Sequence, residues 1–389
     1  MTDCIYEKDC SCIAHTYDRY NKLIVSGKGA LCTDSEGNSL IDFTSGIGVN
    51  SLGFSDDEWI AAVSSQAASL QHISNLYYTA PQIRLAEKLT ARTGMKKVFF
   101  ANSGTEANEC AVKTARKFGN LQSEGRKNRI ITLVNSFHGR TMGSLTATGQ
   151  ANLQQNFGPV LPGFDYCPAG DLKQLEAMTD DNTCAIMLEL VQGEGGVIHL
   201  SREFAQGCQK ICRQKDILLI IDEVQTGIGR TGTLFAYEQY GLQPDLVTFA
   251  KGIGGGLPLG GVLFGEKTAD VLQPGDHGAT FGGNPVACAG GCVIMDRMTE
   301  EFLQEVREKG QYLRERLSSI PGVCDITGLG MMLGFRIAGK DSKDVVKAAL
   351  DEGVMLLTAK DKIRLLPPLV ITRKQIDKGL EKLMKVAAK

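Results

Sequence analysis

Between about residue 98 and residue 264, short and nearly unbroken apolar runs alternate with longer stretches of helical periodicity. The runs are Val98–Ala101, Ile130–Val134, Ala185–Leu188, Ile217–Ile221, Leu246–Ala250 and Val262–Phe264. Few polar residues interrupt them, so each is expected to be a strand buried on both faces. Helical patterns between the runs predict an α/β fold around a mostly parallel central sheet. Ligands of such sheets gather beyond the carboxyl ends of the strands. The chemistry-bearing residues of this chain fall just after these runs.

The two ends read differently. Residues 22–53 predict short strands, with a turn at Asp34–Gly37. After Pro285 the pattern predicts one long helix to about Leu317, then mixed strands and helices to Lys389. The expected organisation is a large domain over residues 54–285. A smaller α+β unit would join the N-terminal segment, 1–53, to the C-terminal part, 286–389.

Composition narrows the classes. Among 389 residues, Lys plus Arg number 42 and Asp plus Glu number 44, a net charge of -2. No basic excess points to nucleic acid or to an anionic membrane. The uncharged stretch Gly252–Gly265 is too short and glycine-rich to span a bilayer. The N-terminus lacks the pattern of a secretory signal, which favours a cytoplasmic location. The 12 Cys are scattered through the chain, the pattern of reduced, buried thiols. Cys4, Cys10 and Cys12 cluster, but no His or Cys pair nearby completes a zinc site, and no metal is expected.

Lys251 ends the run Leu246–Ala250 and opens a glycine tract, Gly252–Gly256. Asp222 ends another run. An amine and a carboxylate thus reach the same edge of one sheet. A pyridoxal phosphate site needs that pair: a lysine for a Schiff base with the aldehyde, and a carboxylate to hold the pyridine nitrogen protonated. A capping Asp and a surface lysine at a strand end are the plain alternatives. Ser103, Gly104 and Thr105 lie between the run Val98–Ala101 and a helix pattern, where free amides and the helix dipole bind phosphate. Ordinary N-capping by Ser and Thr would look the same. Phe137 could stack on a flat ring or simply pack in the core, and Arg140 could take a carboxylate or be a surface charge. Glu189 is expected to be buried near the sheet edge. Glu194 could face a substrate pocket or sit in a solvated turn. Val224 could lie under a ring and Gln225 reach its phenolic oxygen. Thr280 could serve a phosphate, and Arg364 sits among apolar residues, where it needs an anionic partner. The turn Gly227–Gly232 matches G-x-G-x-x-G and admits an NAD-dependent oxidoreductase. However, it does not follow its strand at once and it contains Arg230.

Taken in order, Ser103–Glu109, Phe137–Arg140, Gln192–Gly196, Asp222–Gly232, Lys251, Thr280–Pro285 and Arg364–Pro368 resemble the motifs of class III, or ω-amino-acid, aminotransferases. These are fold type I pyridoxal phosphate enzymes, and the bacterial acetylornithine branch is the most similar. The resemblance spans about residues 20 to 385. It implies pyridoxal 5'-phosphate as cofactor, with Lys251 as the Schiff-base lysine and Asp222 on the pyridine nitrogen. Gln225 would lie near the ring oxygen, Phe137 on the ring, and Gly104 and Thr105 at the phosphate. Thr280 would be donated by the second subunit of a homodimer. Arg140 would take the α-carboxylate of an acylated ornithine, and Arg364 that of glutamate or 2-oxoglutarate, with Glu194 neutralising Arg364 in the other half-reaction. The implied activity is transamination of N2-acetylornithine with 2-oxoglutarate in arginine biosynthesis. Ornithine, succinylornithine, 4-aminobutyrate and succinyldiaminopimelate are alternative amino donors. The chain departs from the family pattern at Ala279, where many members have Ser and a substrate contact is implied, at Leu190, and at Phe54–Asp57.

Overall fold

The computed structural model describes residues 2–388. Met1 and Lys389, and the side chains of residues 2–4 with Cys4 of the cysteine cluster, lie outside the described residues. The middle of the chain forms a seven-stranded sheet. Its order is Lys97–Ala101, Gly260–Phe264, Leu246–Phe249, Leu218–Asp222, Thr183–Leu188, Arg129–Leu133 and Phe164–Cys167. Gly260–Phe264 runs antiparallel to both of its neighbours, and the other pairs are parallel.

Both faces of this sheet are covered, which explains the unbroken apolar runs. Leu218, Ile220, Leu246 and Val262 pack with Ala107, Cys110, Ala111 and Ala115 of helix Gly104–Ser123. Their neighbours Leu219, Ile221, Val247 and Leu263 point the other way, into a core shared with Phe204, Cys208, Ile211 and Cys212 of helix Arg202–Lys215. Period-two alternation is therefore present, but both phases are apolar. Each fully buried Leu or Ile contributes roughly 1.5–3 kcal/mol relative to exposure.

Two details differ from the sequence expectation. The edge strand Phe164–Cys167 was not foreseen. Being half-exposed, it carries no continuous apolar run. The helix expected from Pro285 to Leu317 is two helices, Pro285–Arg297 and Glu300–Ser318. Thr299 restarts it, its side chain accepting from the Phe302 amide.

Strands from both chain ends meet. Ile24–Lys28, Leu31–Asp34 and Ser39–Asp42 form a sheet whose fourth strand, Val354–Met355, runs parallel to Ser39–Asp42. A separate four-stranded sheet contains Lys362–Leu365, the strand that carries Arg364. The turn Gly227–Gly232 ties this region to the central sheet. Arg230 is 2% exposed, and its Nη1 donates to the carbonyls of Met331 and Pro367 at 3.2 and 2.5 Å. The turn is thus filled by its own arginine and packed against the C-terminal region, with no helix N-terminus open to a pyrophosphate. That geometry removes the basis for a dinucleotide site there.

Candidate active site

A cavity of about 600 Å³ opens at the carboxyl edge of the central sheet. Ser103, Gly104, Thr105, Phe137, Arg140, Asp222, Val224, Gln225 and Lys251 all line it, together with Tyr17, Val49, Asn108, His138 and Glu189. The strand ends at Ala101, Leu133, Leu188, Asp222 and Phe249 bring the residues from Ser103 to Lys251 together from distant parts of the sequence.

Lys251 begins a short 3-10 turn at φ +47, a left-handed conformation that costs a non-glycine residue of order 1–3 kcal/mol. Desolvation lowers its amine to about 8, with Arg364 helping and the carboxylates Glu194, Asp222 and Glu189 opposing. A lysine near 8 keeps a useful fraction of free amine at neutral pH.

Asp222 is 4% exposed and is not the lone carboxylate that its sequence setting suggested. Its Oδ2 accepts from Asn108 Nδ2 at 2.8 Å and from His138 Nδ1 at 2.7 Å. Its Oδ1 accepts from the Val224 amide at 3.0 Å. Burial alone would lower the His138 pKa, but the bond to Asp222 and the negative charges of Asp222 and Glu189 together outweigh burial and raise it.

Helix Gly104–Ser123 starts at the cavity wall. Ser103 caps it, accepting from the Glu106 amide. The amides of Gly104 and Thr105 have no intrahelical acceptor and form an anion cradle. A Cβ on Gly104 would come within 2.5 Å of Val224 Cγ1, so only glycine allows Val224 to pack there. The Thr105 hydroxyl is already engaged, bonding to Thr141 and Ser144 and accepting from the Arg140 amide at 3.2 Å. What Thr105 offers an anion is therefore its backbone.

Phe137 is held through its amide, which donates to Glu189 Oε2 at 2.8 Å. Burial pushes Glu189 up to about 7. Arg140 is exposed and lies over the Phe137 ring, 5.4 Å from its centroid. Arg364 and Glu194 form an ion pair at 2.5 Å. Arg364 Nη1 also donates to Gln225 Oε1 at 3.1 Å, which links this pair to the cavity wall. Burial would raise the Glu194 pKa, but Arg364 beside it brings the pKa below the usual value.

Ala279 and Thr280 are not brought to this cavity. They lie in the segment that packs against residues 72–82, where Asn75 Nδ2 donates to the Ala279 carbonyl at 3.1 Å. The sequence reading missed Asn108, His138 and Tyr17 as members of the site. Asn108 stands one turn after Gly104 and His138 follows Phe137, but their bonds to Asp222 cross 114 and 84 residues. Only the sheet order supplies those contacts.

A family model described as aminotransferase class-III matches residues 12–387. The chain belongs to the class III aminotransferases. It is 49% identical over 387 residues to an acetylornithine aminotransferase of Haemophilus ducreyi, covering 99% of this chain and 98% of that one. Among solved structures, the N-acetylornithine aminotransferase of Stenotrophomonas maltophilia is 35% identical with a TM-score of 0.84, covering 96% of this chain and 97% of that one. The ornithine aminotransferase of Toxoplasma gondii is 30% identical with a TM-score of 0.93, covering 100% of this chain and 94% of that one.

Class III aminotransferases are pyridoxal phosphate enzymes. The residues present fit that group. An anion cradle, an aromatic ring, a buried carboxylate oxygen and a lysine of lowered pKa surround one cavity, and the cradle depends on a glycine that a Cβ would block.

Proposed function

We propose that this aminotransferase moves the terminal amino group of N2-acetylornithine to 2-oxoglutarate, giving N-acetylglutamate 5-semialdehyde and glutamate, a step of arginine biosynthesis. Near-full-length identity to acetylornithine aminotransferases, 49% in H. ducreyi and 46% in Caldanaerobacter subterraneus, supports this reading. The observation that carries it is the Arg364–Glu194 pair. Arg364 is 3% exposed, and a buried guanidinium left unpaired would cost several kcal/mol. The site therefore needs an anion beside Arg364 in each half-reaction, and Glu194 and a dicarboxylate substrate can alternate in that role.

When bound, pyridoxal phosphate supplies an aldehyde that takes up the amino group and a ring that draws electrons from the neighbouring carbon. The chain's own residues do the rest. Ser103, Gly104 and Thr105 would hold the phosphate. Phe137 and Val224 would hold the ring, Gln225 would serve its oxygen, and Asp222 would stabilise a proton on its nitrogen. Lys251 Nζ would hold the aldehyde until the substrate amine takes its place, and the freed amine would then accept the proton from the substrate carbon bearing the amine. An amine near 8 suits general base work close to neutral pH. Arg140, exposed at the rim, takes the α-carboxylate of N-acetylornithine while Glu194 holds Arg364. Glutamate or 2-oxoglutarate then displaces Glu194 and binds Arg364.

Single-turnover spectra against a panel of amino donors test the assignment. N-acetylornithine should exceed ornithine, succinylornithine, 4-aminobutyrate and succinyldiaminopimelate in the donor half-reaction. A preference for ornithine would instead favour the second reading, for which the TM-score of 0.93 with the T. gondii ornithine aminotransferase speaks.

We also propose a cytoplasmic homodimer in which Thr280 completes the neighbouring phosphate site and Ala279 lies toward the neighbouring substrate. Thr280 lies outside its own chain's cavity, and Leu76, Tyr77, Tyr78 and Phe281 expose apolar surface nearby, 60–96% accessible. The cytoplasmic location rests on the free cysteines, with no disulfide among the described residues. No helix among the described residues is long and apolar enough to cross a membrane. Sedimentation should give twice the chain mass. The domain division at residues 53 and 285 is proposed with this assembly and is testable by limited proteolysis.

A further inference from the structure

Arg230 has no part in the scheme above, yet it is among the largest side chains buried whole in the molecule. The acceptors of its guanidinium are neutral: the Met331 and Pro367 carbonyls on Nη1, and Ser45 Oγ at 3.3 Å from Nη2. The Asp42 charge acts on it from nearby, but Asp42 Oδ1 accepts from Thr44 and Ser45 and makes no hydrogen bond to Arg230. A buried cation without an ion pair is unfavourable, and an apolar side chain would fill the same turn without that penalty. Filling space therefore does not explain a guanidinium here.

The segments that Arg230 joins say what it does. On one side lies the turn of Lys251. Ile228, two residues before Arg230, packs against Gly252, where a Cβ would come within 3.2 Å of Ile228 Cβ and 2.6 Å of Ser51 Oγ. On the other side lies Arg364. Strands Met332–Ile337 and Lys362–Leu365 are antiparallel neighbours, with Gly334 opposite Arg364. Met331 just precedes the first strand and Pro367 closely follows the second, so one nitrogen of Arg230 holds the same end of both. The Met331 amide returns a bond to the Arg230 carbonyl at 3.0 Å. Ser45 completes the bridge, its Oγ donating to the Leu366 carbonyl at 2.6 Å. Ser45 and Ile47 are left-handed, at φ +43 and +64, a strain that persists only where the surroundings over-determine it. Arg364 makes its own bonds through Nη1, and its Nε is buried without a partner among the described residues. Where its guanidinium stands is therefore set largely by the backbone that Arg230 fixes.

Resting on the reading of Arg364 as the dicarboxylate site, we infer that Arg230 is a positioning residue for Arg364. It locks the strand bearing Arg364 to the turn behind Lys251, so that a dicarboxylate held by Arg364 meets the reacting centre at a fixed distance. It acts through Arg364 and lies outside the cavity lining. Misplacement by about 1 Å, even from a residue far from the chemistry, can cost ~10²-fold. The carboxylate of N-acetylornithine goes to Arg140, on a different loop, so that half-reaction does not depend on this bridge.

The test follows each half-reaction in a single turnover of the holoenzyme, with calorimetric binding of glutarate, an unreactive dicarboxylate, as a second readout. Arg230→Gln should raise half-saturation by 2-oxoglutarate ~10-fold or more, the scale of lost bonds from a charged group, and weaken glutarate by a similar factor. Half-saturation by N-acetylornithine should stay within ~3-fold of wild type. Arg230→Lys, whose ammonium can still donate to the Pro367 carbonyl, should recover most of the loss. Equal losses in both half-reactions of Arg230→Gln would show a merely structural role and overturn the inference, as would wild-type handling of 2-oxoglutarate. Should Arg230→Gln fail to fold, Ser45→Ala takes its place, since it removes the link between Nη2 and Leu366. It should raise half-saturation by 2-oxoglutarate alone, by ~3-fold or more. No loss there, or the same loss with N-acetylornithine, would equally overturn the inference. Glutarate bound as tightly by Arg364→Ala as by wild type would instead overturn the dicarboxylate reading, and this inference with it.

Discussion

Asp222 and Arg140 both line the cavity, yet Asp222 is 4% exposed and tied by three hydrogen bonds, while Arg140 stands in solvent over the Phe137 ring. The contrast extends to their surroundings. Asp222, Lys251, Gly104 and Val224 form a floor set by strand ends and a helix start, each fixed by packing or by a bond to another floor residue. Tyr17 and Arg140 form a rim on loops with few such ties. A reaction that relies on fixed electrostatics needs the floor to be pre-organised. Substrate choice can be altered at the rim without disturbing the floor. This accounts for the comparisons, in which an ornithine aminotransferase shares the backbone at a TM-score of 0.93 while the higher identities are to acetylornithine aminotransferases.

Substitutions can break this contrast, and the floor should show the largest effects. Lys251→Ala should lower transamination by at least ~10³-fold, because it removes both the anchor and the base. Borohydride reduction of the wild type followed by peptide mass analysis should place the cofactor on Lys251. Label on any other lysine, or near-normal turnover in the variant, would remove Lys251 from the mechanism.

Arg364→Ala joins floor to rim and should act on one substrate. Its KM for 2-oxoglutarate should rise by ~30-fold or more, the size expected for truncating a buried, hydrogen-bonded charge pair. Arg140→Ala, at the rim, should raise the KM for N-acetylornithine by roughly 10-fold, as loss of one charge-assisted contact. If Arg140→Ala lowers kcat with both substrates as strongly as Lys251→Ala, the division between floor and rim fails.

Acid–base behaviour should separate two carboxylates near the site by sign. Glu223, 0% exposed, is raised by burial from 4.5 to about 7. Its folded form holds the proton more tightly, so its contribution to stability is complete below pH 4.5 and is lost as pH rises through about 7. Glu194 is lowered, so its contribution is present above pH 4.5 and is lost as pH falls through its folded value. Thermal melts across pH 4–8 should show Glu223→Gln gaining on wild type as pH rises and Glu194→Gln losing ground. Matching slopes would contradict the charge environments described. The smallest effect is expected from Ala279→Ser, within about 3-fold in KM for N-acetylornithine, the scale of one exposed neutral hydrogen bond.

Much of the floor was legible because its signals are local. Lys251, Asp222 and Gly104 each follow an apolar run, and an apolar run marks a buried strand whose end is a ligand edge. The edge strand Phe164–Cys167 escaped because a half-buried strand carries a weaker pattern. The helix break at Met298–Thr299 escaped because the apolar period continues across it. The partners of Asp222 escaped for a different reason: a carboxylate's hydrogen bonds to Asn108 and His138 depend on which strands are neighbours, and the runs do not state their order.

The sequence by itself determined that this chain builds an α/β sheet, and that an amine, a carboxylate and an anion cradle arrive at one edge of it. Periodicity and glycine placement encode those facts within a few residues. Tertiary structure alone decided that Asp222 is held on one oxygen by His138 and Asn108, that Arg230 fills the glycine turn, and that Thr280 lies away from its own cavity. Each of these depends on contacts between distant segments, which strand order and domain packing create and no local pattern records.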